Sequence, residues 1–293
     1  MYSEISSNKR ETWLIMALFV VIIGLLGWIV SNIYGSPSFL YLAFIVGGVY
    51  ALIQYFAAAK LALAMNGAHE IQKRDNPQFY RIVENLSITT GLPMPKVYVI
   101  DDPAPNAFAT GRDPAHAVVC ATTGLIDMMT DTELEAVMAH EMSHVKNYDI
   151  RVMMIVFGLV SAIGLIADII MHMFWFGGRD DDNNSPNPLF IVLGIVAAIL
   201  APIVALMVQM AVSRRREFLA DSTGALTTRY PEGLASALEK IRDHGSAMKR
   251  QNTATAHLFF ASPLKGKSIG KLFSTHPPIE ERIARLRKME THV

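Results

Sequence analysis

The sequence predicts a mainly helical integral membrane protein, with four transmembrane helices and a cytoplasmic α+β domain. Three observations carry that reading. No charged residue occurs from Thr12 to Ala59. Two further apolar runs extend from Val152 to Phe176 and from Leu189 to Val212. Of the 293 residues, 52% are hydrophobic and only 18% charged, where an average soluble chain carries about 25% charge.

Gly35, Ser36 and Pro37 break the first stretch into spans at 13–33 and 38–59, each near the ~20 residues that cross a bilayer. The first is too long for a cleaved signal peptide, and no small-residue cleavage pattern follows it. The third run is interrupted only by Asp168 and His172, one helical turn apart and able to satisfy each other. Basic residues set the orientation. Lys9 and Arg10 precede span one; Lys60, Lys73 and Arg74 follow span two; Arg151 precedes span three; Arg214, Arg215 and Arg216 follow span four. The intervening loops at 34–37 and 177–188 carry no such excess, so both termini are expected in the cytoplasm. The three arginines read as a snorkelling cap on span four. The expected organisation is a membrane hairpin at 1–60, a cytoplasmic segment at 61–151, a second hairpin at 152–212 and a second cytoplasmic segment at 213–293.

Formal net charge is zero, so nothing favours nucleic acid as a partner. A single cysteine, Cys120, excludes an internal disulfide and a cysteine-rich zinc site. It reads as a small buried residue.

The chemistry concentrates at His140-Glu141-Met142-Ser143-His144. Thr130 and Glu133 are spaced as a capping box, and Asp131, Glu133 and Glu135 suit a helix N-terminus, so Thr130 to Asp149 reads as a helix. Residues i and i+4 share a helix face. His140 and His144 can therefore offer two imidazole nitrogens to one zinc ion, with Glu141 as a base for the water the metal activates. Leu134, Val137 and Met138 put this triad on an apolar stripe, where unpaired charges are costly. The pattern points to a zinc-dependent peptide hydrolase. Tyr148, one turn beyond His144, reads as a packing residue.

Such a site needs a third protein ligand and an open position. Glu217 is the first choice, because the helix leaving span four can meet the helix entering span three at the cytoplasmic surface. Asp221, one turn on, can orient a ligand imidazole. Asp149, Asp221 and His276 stay open as alternative ligands. Asp149 follows His144 by five residues, which on a continuous helix swings it away from that imidazole. A place behind a ligand side chain, or a role in pairing two helices, suits it better.

The run His140 to Asp149, a gap holding two spans, and then Glu217-Phe218-Leu219-Ala220-Asp221 resemble the HtpX-type membrane heat-shock zinc metalloproteases over nearly the whole chain. The resemblance implies a zincin-like catalytic domain, one Zn2+ per chain with Glu217 as third ligand, and a bacterial inner membrane location with the active site cytoplasmic. It also implies polypeptide substrates, membrane proteins in quality control and stress response among them. Asn106-Ala107-Phe108-Ala109-Thr110-Gly111, Ala121-Thr122-Thr123-Gly124 and Thr275-His276-Pro277-Pro278 resemble family segments near the active site. His276 reads either as a helix-start element or as a catalytic donor to the oxyanion.

Asn76 to Thr89 reads as an amphipathic helix ending near Gly91. Val97 to Ile100, Ala107–Ala109 and Ala117–Ala121 read as strands, the last two joined through Gly111-Arg112-Asp113-Pro114. The resemblance suggests Val118 to Ala121 as an edge that holds extended peptide. Pro231 to Asp243 and Pro278 to Met289 read as helices, and Lys249 to Lys267 as a mobile loop. Prenyl-protein processing is the alternative enzyme reading, and a non-enzymatic membrane transporter the alternative outside catalysis.

Overall fold

The computed structural model describes residues 2–159, 161, 214–252, 254–264 and 277–290. Asp168, His172, His276, most of the third expected span and all of the fourth lie outside these residues.

Two long helices open the chain, α1 (Tyr2–Tyr34) and α2 (Ser38–Asn66). Gly35 makes the turn between them at φ +65°, a left-handed conformation that costs glycine little. The helices pack closely because glycines line the seam. A Cβ on Gly27 would lie 2.6 Å from that of Ala43, and one on Gly47 would lie 2.8 Å from Ile23. Their outer faces leave Trp13, Leu14, Val21, Trp28, Tyr41, Leu42, Ile45 and Leu52 exposed. Among the described residues, one stretch, Leu40–Asn66, is long and apolar enough to cross a bilayer by length and composition.

Both helices run beyond the expected spans. α1 begins ahead of Thr12, and α2 ends at Gly67, whose left-handed φ of 70° caps the helix. A short strand not anticipated from sequence follows, β1 (Ala68–Glu70), then α3 (Pro77–Thr90). The α3 boundaries follow their sequence signals. The Asn76 side chain accepts from Phe79 N–H, Pro77 occupies the first turn and Gly91 caps the end.

Strands β2 (Lys96–Ile100), β3 (Ala107–Thr110) and β4 (Val118–Thr122) complete a mixed sheet of order β1-β2-β4-β3. β4 pairs parallel with β2 and antiparallel with β3. This corrects the expectation for Val118 to Ala121. β4 is an interior strand paired on both sides, and the outer strands are β1 and β3. A short helix, α4 (Thr123–Met128), also unanticipated, leads into α5 (Asp131–Lys146).

Strand alternation sorts the sheet's side chains to two faces. Val97, Val99, Ala107, Ala109, Val119 and Ala121 face a core built with α3 and α5. Phe108, Val118 and Cys120 face a second core with the end of α2, Met153, Met154 and Phe157. The alanines on the first face let α5 lie close to β3.

The helix expected over 130–149 stops early. α5 ends at Lys146, and Tyr148 takes φ 64°, a left-handed conformation rare without glycine. The chain turns there and restarts as α6, residues 149–159. Tyr148 lies under Lys9 and Arg151, at 4.7 Å and 4.9 Å from its ring centroid.

Beyond the second apolar region come α7 (Arg214–Thr228), α8 (Pro231–His244) and α9 (Ile279–Glu290). The segment expected as a mobile loop is in part core. Thr255, His257, Leu258, Phe259 and Phe260 are all buried. Phe260 N–H donates to Ala107 O at 2.8 Å. The Asn106 side chain brackets Ala261, donating to its carbonyl at 2.8 Å and accepting from its N–H at 3.0 Å. Two consecutive phenylalanines on opposite sides of an extended segment fill two cores, a pattern without helical period. The architecture is mainly helical, with one small mixed sheet.

Candidate metal centre

The capping box at the start of α5 is complete. Glu133 N–H donates to Thr130 Oγ1, and Thr130 N–H donates back to Glu133 Oε2 at 2.8 Å. The helix so fixed puts His140, Glu141 and His144 in the interior, each less than 5% exposed. α7 crosses α5 at close range because Gly224 sits against the backbone. A Cβ there would lie 2.9 Å from His140 N and 3.1 Å from its Cα. This approach carries Glu217 to the two histidines.

His140 Nε2 and His144 Nε2 are 3.2 Å apart. Glu217 Oε2 lies 3.8 Å from the first, and its Oε1 lies 3.5 Å from the second. Three ligand atoms about 2.0–2.1 Å from a tetrahedral zinc stand about 3.3 Å from one another. The observed separations fit that set with small adjustment. Among the described residues this is the one group of three or more metal-ligating side chains in such an arrangement.

Each imidazole is oriented from behind. His140 Nδ1 lies 2.9 Å from Asp221 Oδ1, and His144 Nδ1 lies 2.9 Å from Asp149 Oδ2. A carboxylate at Nδ1 keeps the proton there and turns the Nε2 lone pair toward the third residue. The role foreseen for Asp221 is met. The direction of Asp149 is a correction, since the turn at Tyr148 brings it back onto His144 instead of away from it, while its place behind an imidazole is the supporting position the sequence favoured for it. Asp149 remains outside the three-ligand group.

Two participants were missed. Arg282, on α9 and 1% exposed, clamps Asp221 and reaches within 4.0 Å of Glu217 Oε2. Its signal was present in the sequence. It falls between Ile279 and Leu286 on the apolar stripe of its helix, where a bare charge would be costly. Arg216 is the other. Instead of capping a span it is buried, donating to Asn8 at 3.0 Å and pairing with Glu11 at 3.3 Å.

The electrostatics favour a cation. Among the described residues, Glu141, Asp149, Glu217 and Asp221 are buried around the centre, against the buried guanidinium groups of Arg216 and Arg282. Such an excess of interior carboxylate is costly unless a proton on His144 or a metal ion compensates it. Burial pulls His140 down to about 4, overriding the raising influence of Asp221. Burial opposes protonation of His144 too, but the Asp149 hydrogen bond and the charges of Glu217 and Glu141 lift it to about 9. Burial alone would raise Asp221; Arg282 and His140 hold it at about 2, ionised. Phe260 closes one side, its ring edge-on to His140 with centroids 5.0 Å apart.

Comparison with known proteins agrees with this geometry. A model described as peptidase family M48 matches residues 73–290. Protease HtpX homolog of Tropheryma whipplei (strain Twist) is 54% identical over 289 residues, covering 99% of this chain and 98% of the relative. Protease HtpX homolog of Streptococcus gordonii is 40% identical over 301 residues, covering 99% and 100%. The crystal structure of S. mikatae Ste24p superposes with a TM-score of 0.54 at 18% identity, over 98% of this chain and 67% of that one. At that identity the likeness is one of fold.

Proposed function

The chain belongs to peptidase family M48, as an HtpX-type membrane zinc metalloprotease, and we propose that His140, His144 and Glu217 hold its zinc while Glu141 acts as general base. The observation that carries this assignment is the convergence of two Nε2 atoms 3.2 Å apart on one buried carboxylate. When bound, zinc supplies Lewis acidity toward water and a peptide carbonyl. Glu141 takes the proton from the attacking water and passes one to the leaving amine. Asp221 and Asp149 retain the Nδ1 protons and keep both rings in register. His276 is proposed as the donor to the developing oxyanion. It precedes the buried Pro277 and lies six residues before Arg282, whose guanidinium is at the centre.

Its substrates are polypeptides. An extended substrate would add to the outer edge of β3. The register with β4, in which Thr122 N–H donates to Asn106 O, turns the amides of Ala107 and Ala109 outward. Phe260 already takes the Ala107 carbonyl, leaving the Ala109 end for peptide.

The proposed setting is four membrane spans with both termini and the centre in the cytoplasm. The catalytic domain would be assembled from 61–151 and 213–293, between hairpins at 1–60 and 152–212. Support comes from the apolar outer faces of α1 and α2 and from the basic residues flanking each run. Misfolded membrane proteins are the proposed physiological substrates. The test is metal content of the purified full chain alongside hydrolysis of an unfolded polypeptide. One zinc per chain, with activity lost on chelation and restored by zinc, supports the assignment. A metal-free, fully active chain overturns it.

A further inference from the structure

The first helix enters the metal centre from the far end of the chain. Asn8 lies on α1 just ahead of the uncharged stretch and is 2% exposed. Its Nδ2 donates to Asp149 Oδ1 at 2.6 Å and to the Asn147 carbonyl at 2.8 Å. Its Oδ1 accepts from Arg216 Nη1 at 3.0 Å. The other oxygen of Asp149 faces His144 Nδ1 at 2.9 Å. Arg216 directly precedes Glu217 and also pairs with Glu11 on α1.

One amide thus joins the two chain segments that supply metal ligands. A carboxylate held through only one oxygen can swing about its terminal torsion, which has a broad, soft profile. Held through both, it fixes the imidazole it orients. The amide orientation is not interchangeable, because Arg216 can only donate and the Asn147 carbonyl can only accept.

We propose that Asn8 is a positioning residue of the zinc centre, acting through Asp149 on His144, so that the membrane hairpin and the metal site form one hydrogen-bonded unit. Outer-shell partners of this kind set metal affinity. The inference rests on His140, His144 and Glu217 being the zinc ligands.

The test is chelator competition for zinc on the full-length protein in detergent, comparing wild type, Asn8→Asp, Asn8→Ala, Asp149→Ala and the double variant Asn8→Ala/Asp149→Ala. Asn8→Asp keeps the shape and the acceptor toward Arg216 but removes the donor. It is expected to melt cooperatively and to bind zinc on the order of 10–100-fold more weakly. Asn8→Ala is expected to lose a similar factor in the wild-type background and only about twofold or less in the Asp149→Ala background, since coupled residues are non-additive. Should Asn8→Ala fail to fold, Asn8→Asp alone decides. Undiminished zinc affinity in a folded Asn8→Asp protein, or an equal loss in both backgrounds, overturns the proposal. A wild-type chain without zinc would instead sink the ligand assignment, so the two failures are distinguishable.

Discussion

Arg282 holds both oxygens of Asp221, Nε to Oδ2 at 2.9 Å and Nη2 to Oδ1 at 2.7 Å. The edge of the planar guanidinium matches the carboxylate fork, and its carbon lies over the Phe260 ring at 4.7 Å from the centroid. Asp221 in turn orients His140. α9 is therefore tied to the metal centre through three side chains in sequence.

Replacing Arg282 would leave Asp221 buried without its cation. Arg282→Met is expected to destabilise the protein by about 3–5 kcal/mol, the cost of breaking a buried pair from one side. Denaturant or thermal unfolding of the zinc-free protein measures it. A loss under about 1 kcal/mol, the range of an exposed pair, would mean that the clamp is not formed in solution.

Gly224 sets the distance between α5 and α7. The atoms a Cβ would meet are backbone atoms of His140 and Ala139, which cannot yield as a flexible side chain would. Gly224→Ala is expected to cost about 1–3 kcal/mol through overpacking and to draw Glu217 away from the histidines. Zinc affinity should fall with stability. Unfolding together with chelator titration checks both, and a variant with full stability and full affinity would contradict the packing argument.

Glu133 links acid stability to the α5 start. Burial alone would raise its carboxyl, but Lys240 at 2.6 Å, Ser236 at 2.6 Å and Thr130 outweigh that and lower it to about 2. A folded value below the unfolded 4.5 means the contribution is fully present above pH ~4.5 and is lost as pH falls toward 2. With Lys240 partly exposed, the screened contribution is about 1–2 kcal/mol. Glu133→Gln should melt below wild type at neutral pH. The gap should shrink below pH ~4.5. A gap independent of pH would show that the carboxylate charge is not what stabilises the helix start.

What could be read from the sequence was local. Thr130 with Glu133, Asn76 with Pro77 and Gly91, and His140 with His144 lie within a few residues of each other, so helix geometry alone relates them. Glu217 was a first choice from its place after the fourth apolar run, but that spacing suited neutralisation of the neighbouring arginines equally well, and the resemblance made it the third ligand. Asp149 was misplaced because five residues along an unbroken helix are about 140° apart, and although Asn147 can end a helix, nothing marks Tyr148 as the left-handed residue that turns the chain. The interior position of β4 depends on sheet order, which strand patterning does not encode. Asn8 was invisible for a related reason, since its partners are Asp149 and Arg216, far along the chain. Arg282 alone was overlooked with its signal in view.

The central claim is that one carboxylate beside the histidines does chemistry while another holds metal. The direct measurement is zinc content and peptide turnover of purified Glu141→Gln and Glu217→Ala side by side. Glu141→Gln is expected to keep its zinc with turnover lower by a factor on the order of 10²–10⁴, and Glu217→Ala to lose the zinc itself. Undiminished turnover in Glu141→Gln, or full zinc retention in Glu217→Ala, would contradict it.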